Sequence, residues 1–160
     1  MSIFAKLGGI LLSEEREAIR EEVISDKLLV TFHYQLSLCK EGIMRSHKDL
    51  DVWKRSIRFV QDLYSVTKLF PKDEIYCLTN QMRRAAVSIP SNIAEGAARK
   101  GNKEFIHYLY ISLGSLSELE TQIIISERLK YIDVEVSNEL TVELIEIKNM
   151  ILGLIRFLSK

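Results

Sequence analysis

The sequence predicts an all-α protein: an antiparallel up-down four-helix bundle with an N-terminal extension. Three observations predict it. Two prolines and seven glycines in 160 residues supply too little turn chemistry for an all-β fold. From Asp49 onward apolar residues recur at alternating spacings of four and three, the seam of long helices packed near-parallel. The connections between these stretches are short, which sets sequence neighbours antiparallel.

Taken in order, residues 1–43 offer one helix, from Ser13 to Leu29. Ser13 suits an N-cap, and Glu14, Glu15 and Glu17 suit the positive end of the helix dipole. The β-branched and aromatic run Leu28 to Tyr34 follows, without clear periodicity. The first bundle helix starts at Asp49 or Asp51 and runs to Phe70, with Trp53, Ile57, Val60, Tyr64 and Thr67 on its core stripe. Pro71 ends it. The second runs from Asp73 to Arg99 with Leu78, Met82, Ala85 and Ile89 inward. Pro90 falls inside this helix and predicts a kink, because proline removes one backbone hydrogen bond. Gly101 and Asn102 make the next turn and cap. The third helix runs from Lys103 to Lys130, on a stripe of Phe105, Leu109, Ser112, Leu116, Leu119 and Ile123. The fourth runs from Val134 to Leu158, with Leu140, Leu144, Ile147, Ile151, Leu154 and Leu158 inward.

Composition narrows the function classes. Apolar residues are 47% and charged residues 28%, ordinary globular usage that argues against disorder. The apolar stretch Leu7 to Leu12 is too short to span a membrane and lacks a signal-peptide cleavage pattern. Cys39 and Cys77 alone make neither a disulfide scaffold nor a four-ligand zinc site, and free thiols fit a cytoplasmic protein. Lysine plus arginine equals aspartate plus glutamate, 22 each. The zero total hides an asymmetry: residues 1–43 carry net −2, residues 44–100 net +5 and residues 101–160 net −3.

One stretch is more specific than any pattern. It reads Leu-Thr-Asn-Gln-Met-Arg-Arg-Ala-Ala-Val-Ser-Ile-Pro-Ser-Asn-Ile-Ala-Glu-Gly over Leu78 to Gly96. Lys103-Glu104-Phe105 and Leu113-Gly114-Ser115-Leu116-Ser117-Glu118-Leu119-Glu120-Thr121 follow, and Asp49-Leu50-Asp51-Val52-Trp53 precedes. Over residues 47–133 the chain strongly resembles the four-helix bundle proteins encoded in intervening sequences of bacterial 23S ribosomal RNA genes. The resemblance implies a bundle that assembles as a homo-pentameric ring and is not an enzyme. That family is in turn similar to the accessory protein of diversity-generating retroelements, a basic bundle that binds nucleic acid and a reverse transcriptase. Family chains usually begin just before the Asp-Leu-x-Val-Trp segment, here at Met44. Residues 44–160 are therefore expected to form the bundle domain. Residues 1–43 are either a genuine extension or upstream sequence read from a wrongly chosen start codon.

The basic middle supplies the candidate nucleic-acid contacts: Arg83 and Arg84 first, widened by Lys54, Arg55, Arg58, Arg99, Lys100 and Lys103. The bland reading of the same charges is a solvated face with ion pairs to carboxylates such as Glu118 and Glu120. Ser88, Pro90, Ser91, Asn92 and Glu95 form a polar cluster in the second helix. Its serines and asparagine can satisfy the carbonyl that the proline frees, and Asn92 can pair with Glu95. Gly96 allows close helix approach or relaxes the end of the helix. Trp53 is read as a core or interface residue rather than a base-stacking one. Tyr108 and Tyr110 lie on different faces, so at least one is exposed.

Tests for chemistry come out negative. His33, His47 and His107 show no metal-ligand spacing, and no phosphate loop or nucleophile elbow occurs. Arg99 and His107 are too far apart and straddle the Gly101 turn, which rules out an Arg–His ribonuclease pair on one helix. Cys77 reads as a small core residue. No cofactor and no membrane contact is expected. The leading expectation is an oligomeric, non-catalytic bundle that binds structured RNA. The alternative is a protein-interaction scaffold, or an accessory subunit for a nucleic-acid enzyme such as a reverse transcriptase.

Overall fold

The computed structural model describes residues 46–160, and everything structural below concerns them. The helix expected over residues 13–29, the run Leu28 to Tyr34, Cys39 and the boundary at Met44 fall outside the described residues. Four helices follow in order: α1 (Asp51–Thr67), α2 (Leu78–Ala97), α3 (Asn102–Arg128) and α4 (Val134–Leu158). Among the described residues there is no strand, and none of the helices is long and apolar enough to cross a membrane.

Each helix start has a local cause. Ahead of α1, Ser46 and Asp49 form a capping box around a short 3-10 turn, with Ser46 N donating to Asp49 Oδ2 at 3.0 Å. The α1–α2 connection holds a second 3-10 turn at Lys72–Tyr76, so α2 begins at Leu78 and not at Asp73. Glu74 does the capping there, its Oε2 accepting from Leu78 N at 3.2 Å. Gly101 turns the chain into α3 with φ +110°, a conformation that favours glycine. Asn102 does not cap α3; its side-chain amide donates to the Leu158 carbonyl at 3.2 Å, at the far end of α4. Asp133 caps α4 by accepting from Val136 N at 2.8 Å.

The α3 stripe is buried as expected, and so is the α4 stripe from Leu140 to Leu154. Of the expected α1 stripe only Thr67 is buried. The core side chains are Val52, Ser56, Phe59, Leu63 and Thr67, one residue ahead of Trp53, Ile57, Val60 and Tyr64. Both sets share a helical period. Tyr64 and Trp53 keep a polar tip near water. Packing rather than polarity sets the stripe, since Ser56 and Thr67 are buried with their hydroxyls bonded to the Val52 and Leu63 carbonyls while Ile57 and Val60 are only partly buried. Trp53 packs at the edge of the core with its ring 5.1 Å from that of His47. Cys77 is exposed and so is no core residue, because the connection rather than the helix carries it.

Contacts between α2 and α3 run in opposite directions. Gly96 faces Phe105 and Tyr108, Ser88 meets Ser115, and Met82 meets Ser126. A fork from α1 to α4 ties the first helix to the last. Arg55 Nε and Nη2 donate to the two oxygens of Glu143, each at 2.7 Å, and the same guanidinium pairs with Glu146.

Candidate nucleic-acid interface

The eight cations singled out by the sequence do not share one face. Arg83 and Arg84 lie near the start of α2, where Arg83 Nε donates to Thr67 Oγ1 at 2.9 Å. Lys100 and Lys103 lie beyond the opposite end of α2, whose axis from Arg84 to Ala97 spans about 20 Å at 1.5 Å per residue. Arg58 sits mid-way along α1.

Four of the eight are engaged within the chain. Lys54 pairs with Asp51 one turn away. Arg55 holds α4. The Arg83 guanidinium carbon sits over the Tyr64 ring, 4.7 Å from its centroid. Arg99 pairs with Glu95 and donates to the Tyr108 hydroxyl at 2.6 Å. Arg83 thus pairs with neither Glu118 nor Glu120. Those carboxylates sit on another helix, and a hydroxyl and an aromatic ring lie nearer. The remaining four, Arg58, Arg84, Lys100 and Lys103, carry no hydrogen bond or ion pair among the described residues. Lys100 and Lys103 flank the start of α3, whose first N–H groups have no side-chain cap.

The polar cluster of α2 is a seam, not a pocket. Asn92 donates its amide to the Ser88 carbonyl at 2.8 Å and to the Ser88 hydroxyl at 2.9 Å. Ser115 on α3 bonds the same hydroxyl at 2.9 Å, and Ser112 donates to the Ile89 carbonyl at 3.3 Å. Ser91 bonds the Val87 carbonyl at 2.8 Å. Pro90 lacks the N–H that would reach the Ala86 carbonyl, and none of these groups replaces it. Ser88 therefore joins α2 to α3, Ser91 and Asn92 bond groups within α2, and none of them repairs the proline. Helix α2 continues unbroken through Pro90. Asn92 does not pair with Glu95, because Glu95 points to the α2–α3 corner. There the Tyr108 hydroxyl donates to Glu95 Oε1 at 2.8 Å, and that bond, with the one from Arg99, holds the Glu95 carboxyl below the usual carboxylate range.

Sequence reasoning missed two surfaces. The outer face of α3 exposes Tyr110, Ile111, Ile124 and Ile125 around Gly114. Tyr108, by contrast, is half-buried and bonded, so the two tyrosines do face different ways. The spacing of 110, 111, 124 and 125, two full heptads apart, was the available signal. The second missed surface is at the end of the bundle that carries the α1–α2 connection. Leu69 and Tyr76 there are 84% and 87% exposed. No group of three or more His, Cys, Asp or Glu side chains is placed to hold a metal among the described residues.

A family model described as 23S rRNA-intervening sequence protein matches residues 48–153. No curated protein matches the chain. Among solved structures, the chain is similar to a protein of unknown function from the S23 ribosomal protein family of Bacteroides thetaiotaomicron. The two are 24% identical, the match covers 66% of this chain and 98% of that one, and the TM-score is 0.61. That likeness is one of fold.

Proposed function

The chain belongs to the 23S rRNA-intervening sequence protein family, and from that premise we propose that it is a non-catalytic bundle that assembles with copies of itself and binds structured RNA. The observation that carries the proposal is the division among the cations. Four are engaged within the bundle, while Arg58, Arg84, Lys100 and Lys103 have no hydrogen bond or ion pair among the described residues. Four scattered charges bind a polyanion weakly. A ring, pentameric on the family resemblance, repeats them, and the effective concentration of neighbouring copies raises affinity without any new contact. Specificity then comes from RNA shape, since no base-reading module is present.

The test is charge reversal at the free positions, Arg58→Glu with Arg84→Glu, leaving the engaged Arg83 alone. RNA affinity should fall, and the salt slope should shrink by about 0.7–0.9 for each phosphate contact removed. Unchanged affinity and slope would sink the proposal. A second reading, a protein-interaction scaffold or accessory subunit, is favoured by the apolar outer face of α3. Light scattering with and without total bacterial RNA, at low and high salt, separates the two. A particle that ignores RNA at low salt supports the scaffold.

A further inference from the structure

Two sets of hydrogen bonds mark the ends of the bundle. At one end Glu74, in the α1–α2 connection, accepts from the Tyr131 hydroxyl in the α3–α4 turn at 3.1 Å. At the other, the Asn102 amide at the start of α3 donates to the Leu158 carbonyl at the end of α4 at 3.2 Å. The Tyr108 hydroxyl on α3 donates there to Glu95, near the end of α2, at 2.8 Å. This second end therefore gathers the α2–α3 turn and the last turn of α4.

The two ends differ in sign. Residues 68–76 and 127–135, at the Tyr131 end, hold five carboxylates against four cations. Residues 95–104 and 156–160, at the Asn102 end, hold five cations against two side-chain carboxylates. Of these, Lys160 and the terminal carboxylate beside it cancel, as do Arg99 and Glu95, which pair. Lys100, Lys103 and Arg156 remain against Glu104, all four exposed and without an ion pair or hydrogen bond among the described residues. The 3-10 turn ahead of α1 packs on α2 and adds nothing net: Lys48 offsets Asp49, and Lys54 pairs with Asp51 at 3.2 Å. The helix flanks between the ends hold five cations and six carboxylates. Positive charge in the folded chain is therefore concentrated at one end. The three free cations there are close neighbours, since Asn102, between Lys100 and Lys103 in sequence, is bonded to α4 two residues past Arg156.

We propose that the Asn102 end, through Lys100, Lys103 and Arg156, is where the bundle meets the phosphate backbone of folded RNA. Exposed cations on a turn and on the helix end bonded to it can meet neighbouring phosphates, while the net negative flanks and far end turn the polyanion away. The site rests on the RNA-binding reading above and sharpens it. It adds Arg156, which lies in the net negative last third of the sequence, and makes Arg58 and Arg84 the lesser contacts.

The experiment titrates the full chain with a fluorescein-labelled RNA hairpin at low and high salt. Lys100→Glu with Arg156→Glu should weaken binding about tenfold at low salt and shrink the salt slope by about 1.4–1.8, the share of two phosphate contacts. Arg58→Glu with Arg84→Glu reverses the same number of charges and should do less of both. Glu104→Gln should act the other way and tighten binding about twofold, a gain that no loss of fold can imitate. A loss from the Arg58 and Arg84 pair equal to or larger than that from Lys100 and Arg156 overturns the site and leaves the proposed function standing. So does a Glu104→Gln variant that binds no tighter, or a loss in the Lys100 and Arg156 pair that is as large at high salt as at low. Unchanged affinity in both double variants, or wild-type protein that does not bind the hairpin, overturns the site and the proposed function together.

Discussion

Helix α3 has two faces built from small residues, and they differ in what they touch. Its inner face meets α2 at Gly96. A methyl group placed there would lie 2.7 Å from Tyr108 Cβ and 2.8 Å from Phe105 Cδ2. The serines beside it are all spent on the seam with Ser88 and Ile89. The outer face carries Gly114, and a methyl group there would meet nothing within 4 Å. A mid-helix glycine gives up about 1 kcal/mol relative to alanine. For Gly96, near the end of α2, the close approach of α3 explains that cost; for Gly114 no contact among the described residues does. Small residues that pack are architecture. Small residues that do not pack, among exposed Tyr110, Ile111, Ile124 and Ile125, leave an apolar surface that none of the described residues covers.

The sharpest way to break this comparison is Gly96→Ala. The substitution gains helix propensity, yet should destabilise the bundle by about 1–3 kcal/mol, since backbone and rings must shift to admit the methyl group. Urea denaturation reads this as a lower midpoint at unchanged slope. A neutral result would mean that the seam is looser than its distances say.

The arginines offer the next largest contrast. Arg55 lies against α4 with both Glu143 and Glu146, all three mostly shielded from water. Arg55→Met should cost about 1–2 kcal/mol, because two neighbouring carboxylates lose their shared donor. Arg58, one turn on and unpaired, should change stability by less than about 0.5 kcal/mol when replaced in the same way. Thermal unfolding of the two variants side by side checks the difference.

Much of this was legible in the sequence, and the exceptions have physical causes. The stripes of α2, α3 and α4 follow from spacing because their polar and apolar positions separate cleanly. The α1 stripe does not, since Trp53, Ile57, Val60 and Tyr64 sit beside Val52, Ser56, Phe59 and Leu63 at the same period. Only packing decides which set is inside. The basic middle of the chain was visible as net charge, but its division was not. Whether an arginine is free depends on partners 16 residues away for Arg83 and 88 for Arg55. The Asp73 start for α2 failed because Glu74, four residues before Leu78, caps the helix from outside it.

A smaller effect tests the outer face directly. Gly114→Ala should stabilise the dilute chain by up to about 1 kcal/mol, since the methyl group meets no obstacle and the unfolded state loses freedom. In concentrated protein it should act the other way, weakening association where a partner needs close approach. Sedimentation velocity over a range of concentrations shows which holds. If alanine raises stability and leaves association untouched, the outer face is not an assembly surface.

The smallest effect should come from the α2–α3 corner, where the groups are fully exposed. Tyr108 and Arg99 hold the Glu95 carboxyl below its ordinary value. A carboxyl depressed in the folded state binds protons more readily when unfolded. Its contribution to stability is therefore complete above the ordinary carboxylate value and is lost as pH falls through the folded one. Melting temperature should decline across that acidic window in the native chain. Glu95→Gln should flatten the decline, and Tyr108→Phe should flatten it in part, because the tyrosine bond is the larger cause. Above neutral pH neither variant should alter how stability depends on pH, and a slope that persists unchanged in Glu95→Gln would place the acid sensitivity elsewhere in the bundle.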